Sequence, residues 1–265
     1  LYSAHLAIAD PQTGEFRSDE RYARGAAGLS GAEVEDGSVS VWVEDWTMMA
    51  TEDLSEIRLE AAAEDMALSL VLAPAKPIFF QGENGYSPKG REDGQASHYY
   101  SITRLDASGT VRVGEEVAEV GGASWFDREW STSLLSEDQE GWDWFSLQLD
   151  SGEDLMYFRL RSDIQDYVDG SLVATDGSRV DLDPDGIGLE VTDSWQSPRT
   201  GIRYPIAWRM QIPERGMDLT IEAALPNQEL ETRITYWEGM VRVSGTRRGA
   251  SISGKGYVEM TGYGS

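Results

Sequence analysis

The 265 residues of this chain, 40% hydrophobic and 26% charged, suffice for one large or two ordinary domains with a sizeable core and exclude a disordered polymer. Lys and Arg number 22 against 47 Asp and Glu, a net charge of −25, which argues strongly against nucleic acid and anionic membrane surfaces as partners, because both call for clustered cations. Cysteine is absent, so disulfides and thiolate metal centres are excluded.

The opening Leu1-Tyr2-Ser3-Ala4 has neither the basic start nor the long apolar run of a signal peptide. No stretch approaches the roughly 20 apolar residues of a bilayer-spanning helix. Only Lys76, Lys89 and Lys255 are lysines, and so acidic a surface suits a salty medium, where screening weakens its self-repulsion.

In chain order, short alternating runs predict strands over Val39–Trp46, Ile57–Ala61, Ala67–Leu72 and His98–Leu105, with one helical turn near Thr51–Ile57. Further strands are predicted over Trp142–Leu149, Leu155–Leu160, Ala207–Ile212, Leu219–Ala223 and Tyr257–Thr261. Asp106–Gly109, Asp150–Gly152 and Asp176–Gly177 carry hairpin-turn composition. Gly82–Gly94 reads as a loop, either a binding mouth or a plain hairpin connection. Many short strands and almost no helical period mean an all-β sandwich or barrel, at least about two-fifths strand.

Three segments mix aromatic residues with carboxylates. In Trp125-Phe-Asp-Arg-Glu-Trp130, strand alternation puts Trp125, Asp127 and Glu129 on one face and Phe126, Arg128 and Trp130 on the other. In Tyr236-Trp-Glu-Gly239, Tyr236 and Glu238 share a face; in Tyr257–Tyr263, Tyr257, Glu259, Thr261 and Tyr263 do, opposite Val258 and Met260. Each pattern fits a half-wet barrel lumen or a solvent-facing strand, and a buried Arg–carboxylate pair competes with a catalytic role.

These motifs, with Gly141-Trp-Asp-Trp-Phe145, Gln228-Glu-Leu230, Tyr2-Ser-Ala-His5 through Asp10, Gly82–Tyr86 and Tyr99–Arg104, resemble the AttH / carotenoid 1,2-hydratase family along nearly the whole chain. The resemblance implies two tandem lipocalin-like antiparallel β-barrels, divided here as residues 1–133 and 134–265. Because members begin some strands earlier, it also implies a first barrel incomplete at its N-terminus. It implies export, a hydrophobic small-molecule ligand and a range of activities. Carotenoid hydratases add water to an isoprenoid double bond, fungal relatives include a phytoalexin hydratase and decalin-forming Diels–Alderases, and other members associate with export systems.

Hydration of an alkene needs a proton donor, a stabiliser for the developing cation and a placed water. A carboxyl group among aromatics can stay protonated near neutrality, and Trp or Tyr faces stabilise cations. Asp127, Glu129 and Tyr236 are the candidate catalytic residues, with Asp127 as the donor or the group that holds it. Trp125, Trp130, Trp144, Tyr100, Trp237, Glu238 and His5 are the candidate substrate contacts. The reading is a cofactor-independent hydratase or cyclase on an isoprenoid or polyketide-like substrate, the alternatives being a non-catalytic carrier or, third, a hydrolase.

Hydrolysis is disfavoured because no Gly-x-Ser-x-Gly elbow is present and any Ser triad must draw on His5 or His98. No metal is expected, since two His and no Cys make a poor zinc set. Asp181–Gly186 begins like a calcium loop, but Thr192 stands where a bidentate Glu is required, so an acidic turn is the better reading.

Overall fold

The computed structural model describes every residue except 92, 93, 132–134, 137, 234 and 265. The fold is all-β: strands make up 66% of the described residues, which contain no α-helix. The expected division between residues 133 and 134 falls outside the described residues.

β1 (Tyr2–Asp10) and β2 (Glu15–Ala23) form a two-stranded hairpin. β3 (Ser30–Glu35), β4 (Ser38–Val43), β5 (Trp46–Thr51), β6 (Ile57–Ala62) and β7 (Met66–Pro74) follow as a meander. The short β8 (Phe79–Phe80) and β9 (Tyr86–Pro88) precede two long strands, β10 (Ala96–Val113) and β11 (Glu116–Trp130). This nine-stranded sheet runs β11-β10-β7-β6-β5-β4-β3, with β8 and β9 also paired to β10.

The second nine-stranded sheet holds β12 (Gln139–Leu149), β13 (Asp154–Ser162), β14 (Tyr167–Val173), β15 (Arg179–Asp181), β16 (Gly188–Gln196), β17 (Arg203–Ile212), β18 (Met217–Ala223), β19 (Tyr236–Arg247) and β20 (Ala250–Thr261). Its order is β15-β14-β13-β12-β20-β19-β18-β17-β16. Sequential strands pair, and the first also pairs with the last. The result is the circuit of an up-and-down, lipocalin-like barrel, interrupted where a 3-10 turn at Pro184–Gly186 joins β15 to β16.

The structure departs from the sequence-based expectation at four places. Val39–Trp46 is two strands, because Glu44 takes a left-handed φ of 56° and turns the chain. Between Thr51, which ends β5, and Ile57, which begins β6, the chain is an irregular turn rather than a helical one, with Leu54 at φ 56°. Asp106–Gly109 is no turn: β10 runs straight through it, paired with β7 from Leu105↔Pro74 to Val113↔Met66. Gly109, at φ 149°, instead admits the Ser69 carbonyl where a Cβ would collide. Within the expected loop at 82–94, Tyr86–Pro88 pairs with Ala96–His98 as strand.

The chain divides into two compact units: Leu1–Ile8, Arg17–Pro77 and Arg104–Phe126 in one, and Ala9–Phe16, Ile78–Thr103 and Asp127–Ser265 in the other. In the first, Leu6, Trp46 and Met66 pack with Ala4, Ile8, Ala61, Ala63 and Leu68. In the second, one core joins Phe145, Trp208, Met210, Leu219, Trp237, Val241, Val258 and Met260, among others, from the inward face of the circuit. Phe145 and Trp237 each meet Trp208 edge to face, with centroids 5.3 and 6.4 Å away. Side chains therefore fill the barrel interior, and the polar-aromatic face expected to suit a wet lumen lies outside it.

A candidate acid–aromatic site on the second unit

Alternation along β12, β19 and β20 sends Asp143, Phe145, Trp237, Val258 and Met260 inward. Trp142, Trp144, Tyr236, Glu238, Tyr257 and Glu259 take the opposite, partly buried face. β19 and β20 are joined by the two-residue turn Arg248-Gly249, with left-handed φ values of 50° and 81°. Such a turn fixes register: Arg247 faces Ala250, and nine pairs further along Glu238 faces Glu259. Facing side chains keep their Cβ atoms roughly 4.5–5.5 Å apart, and like charges there are destabilising.

The pair resolves that conflict by holding protons. Burial, reinforced by the facing Glu259 charge, pushes Glu238 up to about 8, although a Tyr257 hydroxyl hydrogen bond works the other way. Burial also raises Glu259; the Trp142 indole N–H opposes this, and the charges of Asp127 and Glu129 add to it. The Trp142 N–H donates to Glu259 Oε1 at 2.6 Å, and the Tyr257 hydroxyl to Glu238 Oε2 at 3.3 Å. Tyr236 stands edge to face with Trp142, 6.1 Å between centroids. Burial raises Tyr257 well above the ordinary phenol value, so it keeps its proton.

The residues Tyr99, Ser101 and Thr103 of β10 lie against the same face. The Trp144 N–H donates to the Tyr99 hydroxyl at 3.1 Å, Thr103 Oγ1 to Asp154 Oδ2 at 2.9 Å, and Gln148 Nε2 to the Thr103 carbonyl at 2.7 Å. Asp127 of β11 accepts from the Tyr99 hydroxyl at 2.8 Å and Ser101 Oγ at 2.5 Å. Glu129 pairs with Lys89 Nζ at 2.9 Å. That ammonium lies 4.1 Å over the Phe158 ring and 4.9 Å over Tyr99.

The residues singled out from the sequence therefore separate. Asp127, Glu129, Trp144, Tyr236 and Glu238 belong to this face of the second unit. Trp237 does not: it is fully buried in the barrel core and donates its N–H to the Pro226 carbonyl at 2.9 Å. Trp130 and Tyr100 form another group, on the far side of their strands. Trp130 is exposed, stacked on His98 with centroids 5.4 Å apart and edge to face with Tyr100 at 6.3 Å. His5 and Trp125 belong to the first unit, where His5 Nε2 lies 3.9 Å from Glu20 Oε2.

The candidate catalytic and substrate-contact residues read from the sequence do not include Glu259, Tyr257, Trp142, Tyr99 or Lys89, although Tyr257 and Glu259 are placed there on one face. For Glu259 a signal existed: reading Arg248-Gly249 as a two-residue hairpin turn places it opposite Glu238. The partnership of Tyr99 with Asp127, 28 residues apart in sequence, left no such trace.

An Arg–carboxylate cluster of the structural kind lies on the inward face instead. Asp143, fully buried, accepts from Arg159 Nε and Nη2 at 3.0 and 2.5 Å and from the Tyr263 hydroxyl at 2.9 Å.

A family model described as AttH-like matches residues 1–263. The crystal structure of a candidate AttH from Nitrosomonas europaea superposes with a TM-score of 0.87 at 35% identity, covering 98% of this chain and 81% of that one. Kievitone hydratase from Nectria haematococca superposes with a TM-score of 0.80 at 15% identity, covering 98% and 79%. At that identity the second likeness speaks for the fold alone. No curated protein sequence matches the chain. The match over almost the full length, together with the identity to the Nitrosomonas protein, makes this chain a member of the AttH-like family.

Proposed function

We propose that the protein is a hydratase-type lyase that adds water to a carbon–carbon double bond of a neutral, hydrophobic molecule of isoprenoid or polyketide-like character. The observation that carries this reading is the facing pair Glu238–Glu259, flanked by Trp142, Tyr236 and Tyr257. Two carboxyls at this separation share protons, so near neutrality the pair offers an acid and a base side by side.

In the proposed reaction Glu238 gives its proton to the less substituted alkene carbon. The cation left on the neighbouring carbon is stabilised by the Trp142 and Tyr236 faces and by the negative charge on the pair. A water attacks that carbon as its proton passes to Glu259, and transfer from Glu259 to Glu238 restores the starting state. Atoms and charge balance, no electrons are exchanged, and no cofactor enters. Carboxylates crowd this face, so an anionic substrate would be repelled, which supports a neutral one. Kievitone hydratase, a hydratase by name, shares this fold, so the fold is compatible with this class of reaction.

The test is incubation of the full chain with neutral terpenoid and polyene alkenes in ¹⁸O-water, followed by mass spectrometry. The expected product is an alcohol carrying one ¹⁸O, formed at least about 100-fold more slowly by Glu238→Gln, the usual loss when a general acid is removed. Unlabelled product, or a Glu238→Gln rate equal to that of the unaltered protein, would overturn the reading.

A further inference from the structure

We propose that Asp127 is a permanent carboxylate and a positioning residue for the acid pair, fixed by a one-way hydrogen-bond relay from Trp144 through Tyr99. This inference rests on the acid-pair reading above and deepens it by assigning a fixed charge that, after burial and together with Glu129, raises the nearer member of the pair.

The direction of the relay follows from donor chemistry. An indole N–H can only donate, so at 3.1 Å the Tyr99 oxygen must accept from Trp144. The single phenolic proton is then free for Asp127 Oδ2 at 2.8 Å. Burial, followed by the Asp127 charge, raises Tyr99 well above the ordinary phenol value, so this link does not ionise in the physiological range. A second arm reaches the other oxygen: Ser171 Oγ donates to Gln81 Oε1 at 2.8 Å, Gln81 Nε2 to Ser101 Oγ at 2.9 Å, and Ser101 Oγ to Asp127 Oδ1 at 2.5 Å. Gln81, Ser101 and Ser171 are buried, so water does not compete for these bonds. Both Asp127 oxygens therefore accept, which is the arrangement of a carboxylate and not of a carboxylic acid.

The relay ends beside the pair. Trp144 is the direct cross-strand partner of Glu259, and Glu259 of Glu238. Asp127, Tyr99, Trp144, Glu259 and Glu238 thus run in succession across β11, β10, β12, β20 and β19. A fixed anion at the head of that line favours the protonated form of the next carboxyl, and the Asp127 charge is among those that raise Glu259. Asp127 does not itself supply the proton; with Glu129 it adds to burial in holding the proton on Glu259.

The test is a carboxyl ¹³C NMR titration of the full chain, labelled in Asp and Glu side chains, from about pH 4 to 9. Unaltered protein should show Asp127 at its carboxylate position without an inflection near neutrality, while the glutamate pair titrates above the ordinary carboxylate range. Asp127→Asn should move the first midpoint of the pair down by at least about half a unit, a threefold change in proton affinity. A merely structural Asp127 would leave that midpoint in place.

If Asp127→Asn does not fold, Tyr99→Phe and Ser101→Ala each remove one donor and should raise the Asp127 midpoint. An Asp127 resonance titrating together with the pair, an unmoved pair midpoint in a folded Asp127→Asn, or unmoved Asp127 midpoints in both hydroxyl variants would overturn the relay alone. Absence of any glutamate titrating above the ordinary range in unaltered protein would overturn the acid pair and the relay together.

Discussion

Glu238 holds its proton up to about 8 in the folded protein, against an ordinary value of 4.5. The folded state therefore keeps a proton that the unfolded chain has released. The resulting stability is fully present below about pH 4.5 and is lost as pH rises toward 8. We expect urea denaturation to show the unaltered protein losing stability relative to Glu238→Gln across that window, with the two curves running parallel below it. Curves parallel over the whole range would show that the carboxyl is not raised. The difference between the two proteins is the useful quantity, because an excess of 25 negative charges makes both less stable as pH rises.

Neighbouring positions on one strand have opposite roles, because β19 shows alternate faces to two environments. Trp237 packs against Trp208 inside the barrel, whereas Glu238 faces outward beside Tyr257. Trp237→Ala should cost roughly 3–5 kcal/mol, the usual loss for a large buried aromatic, measured by denaturant unfolding. A cost below about 1 kcal/mol would mean that the core is not packed around it. The turn that sets the β19–β20 register is a second control point. Gly249 has φ 81° with open space around a would-be Cβ, so Gly249→Ala meets only backbone strain. It should destabilise by about 1 kcal/mol and leave the glutamate pair titrating as before, since eleven further pairs beyond Arg247↔Ala250 hold the ladder in place. A changed titration would show that the turn alone holds the register.

Charge is the property of the whole molecule with the largest measurable consequence. With 47 acidic against 22 basic residues, the compact state pays a self-repulsion that salt screens over a Debye length of about 10 Å at 0.1 M and about 3 Å at 1 M. Melting temperature at pH 8 should rise between about 0.01 and 1 M NaCl, each ~1 kcal/mol of relieved repulsion adding roughly 2–4 °C for a chain of this size. The same titration near pH 4.5 should be flatter, because the net charge is small so close to the isoelectric point of about 4.3. A melting temperature that falls with salt at pH 8 would mean that attractive ion pairs, such as Arg159–Asp143 and Lys89–Glu129, outweigh the repulsion.

The sequence by itself determined what depends on periods of two along one strand. The all-β class, the turns at Asp150–Gly152 and Asp176–Gly177, and the sharing of faces by Tyr236 with Glu238 and by Tyr257 with Glu259 all follow from local alternation. Trp237 was open to the same logic, since a residue between Tyr236 and Glu238 must point the other way. The tertiary structure decided what depends on register between strands distant in sequence and on which face turns inward. It set Glu238 against Glu259, joined Tyr99 and Ser101 to Asp127, gave Lys89 to Glu129, and ran β10 straight through the turn-like Asp106–Gly109. Alternation says that two faces differ; only the closing of the sheet into a circuit, with the larger apolar area taken from water, says which of them becomes the core.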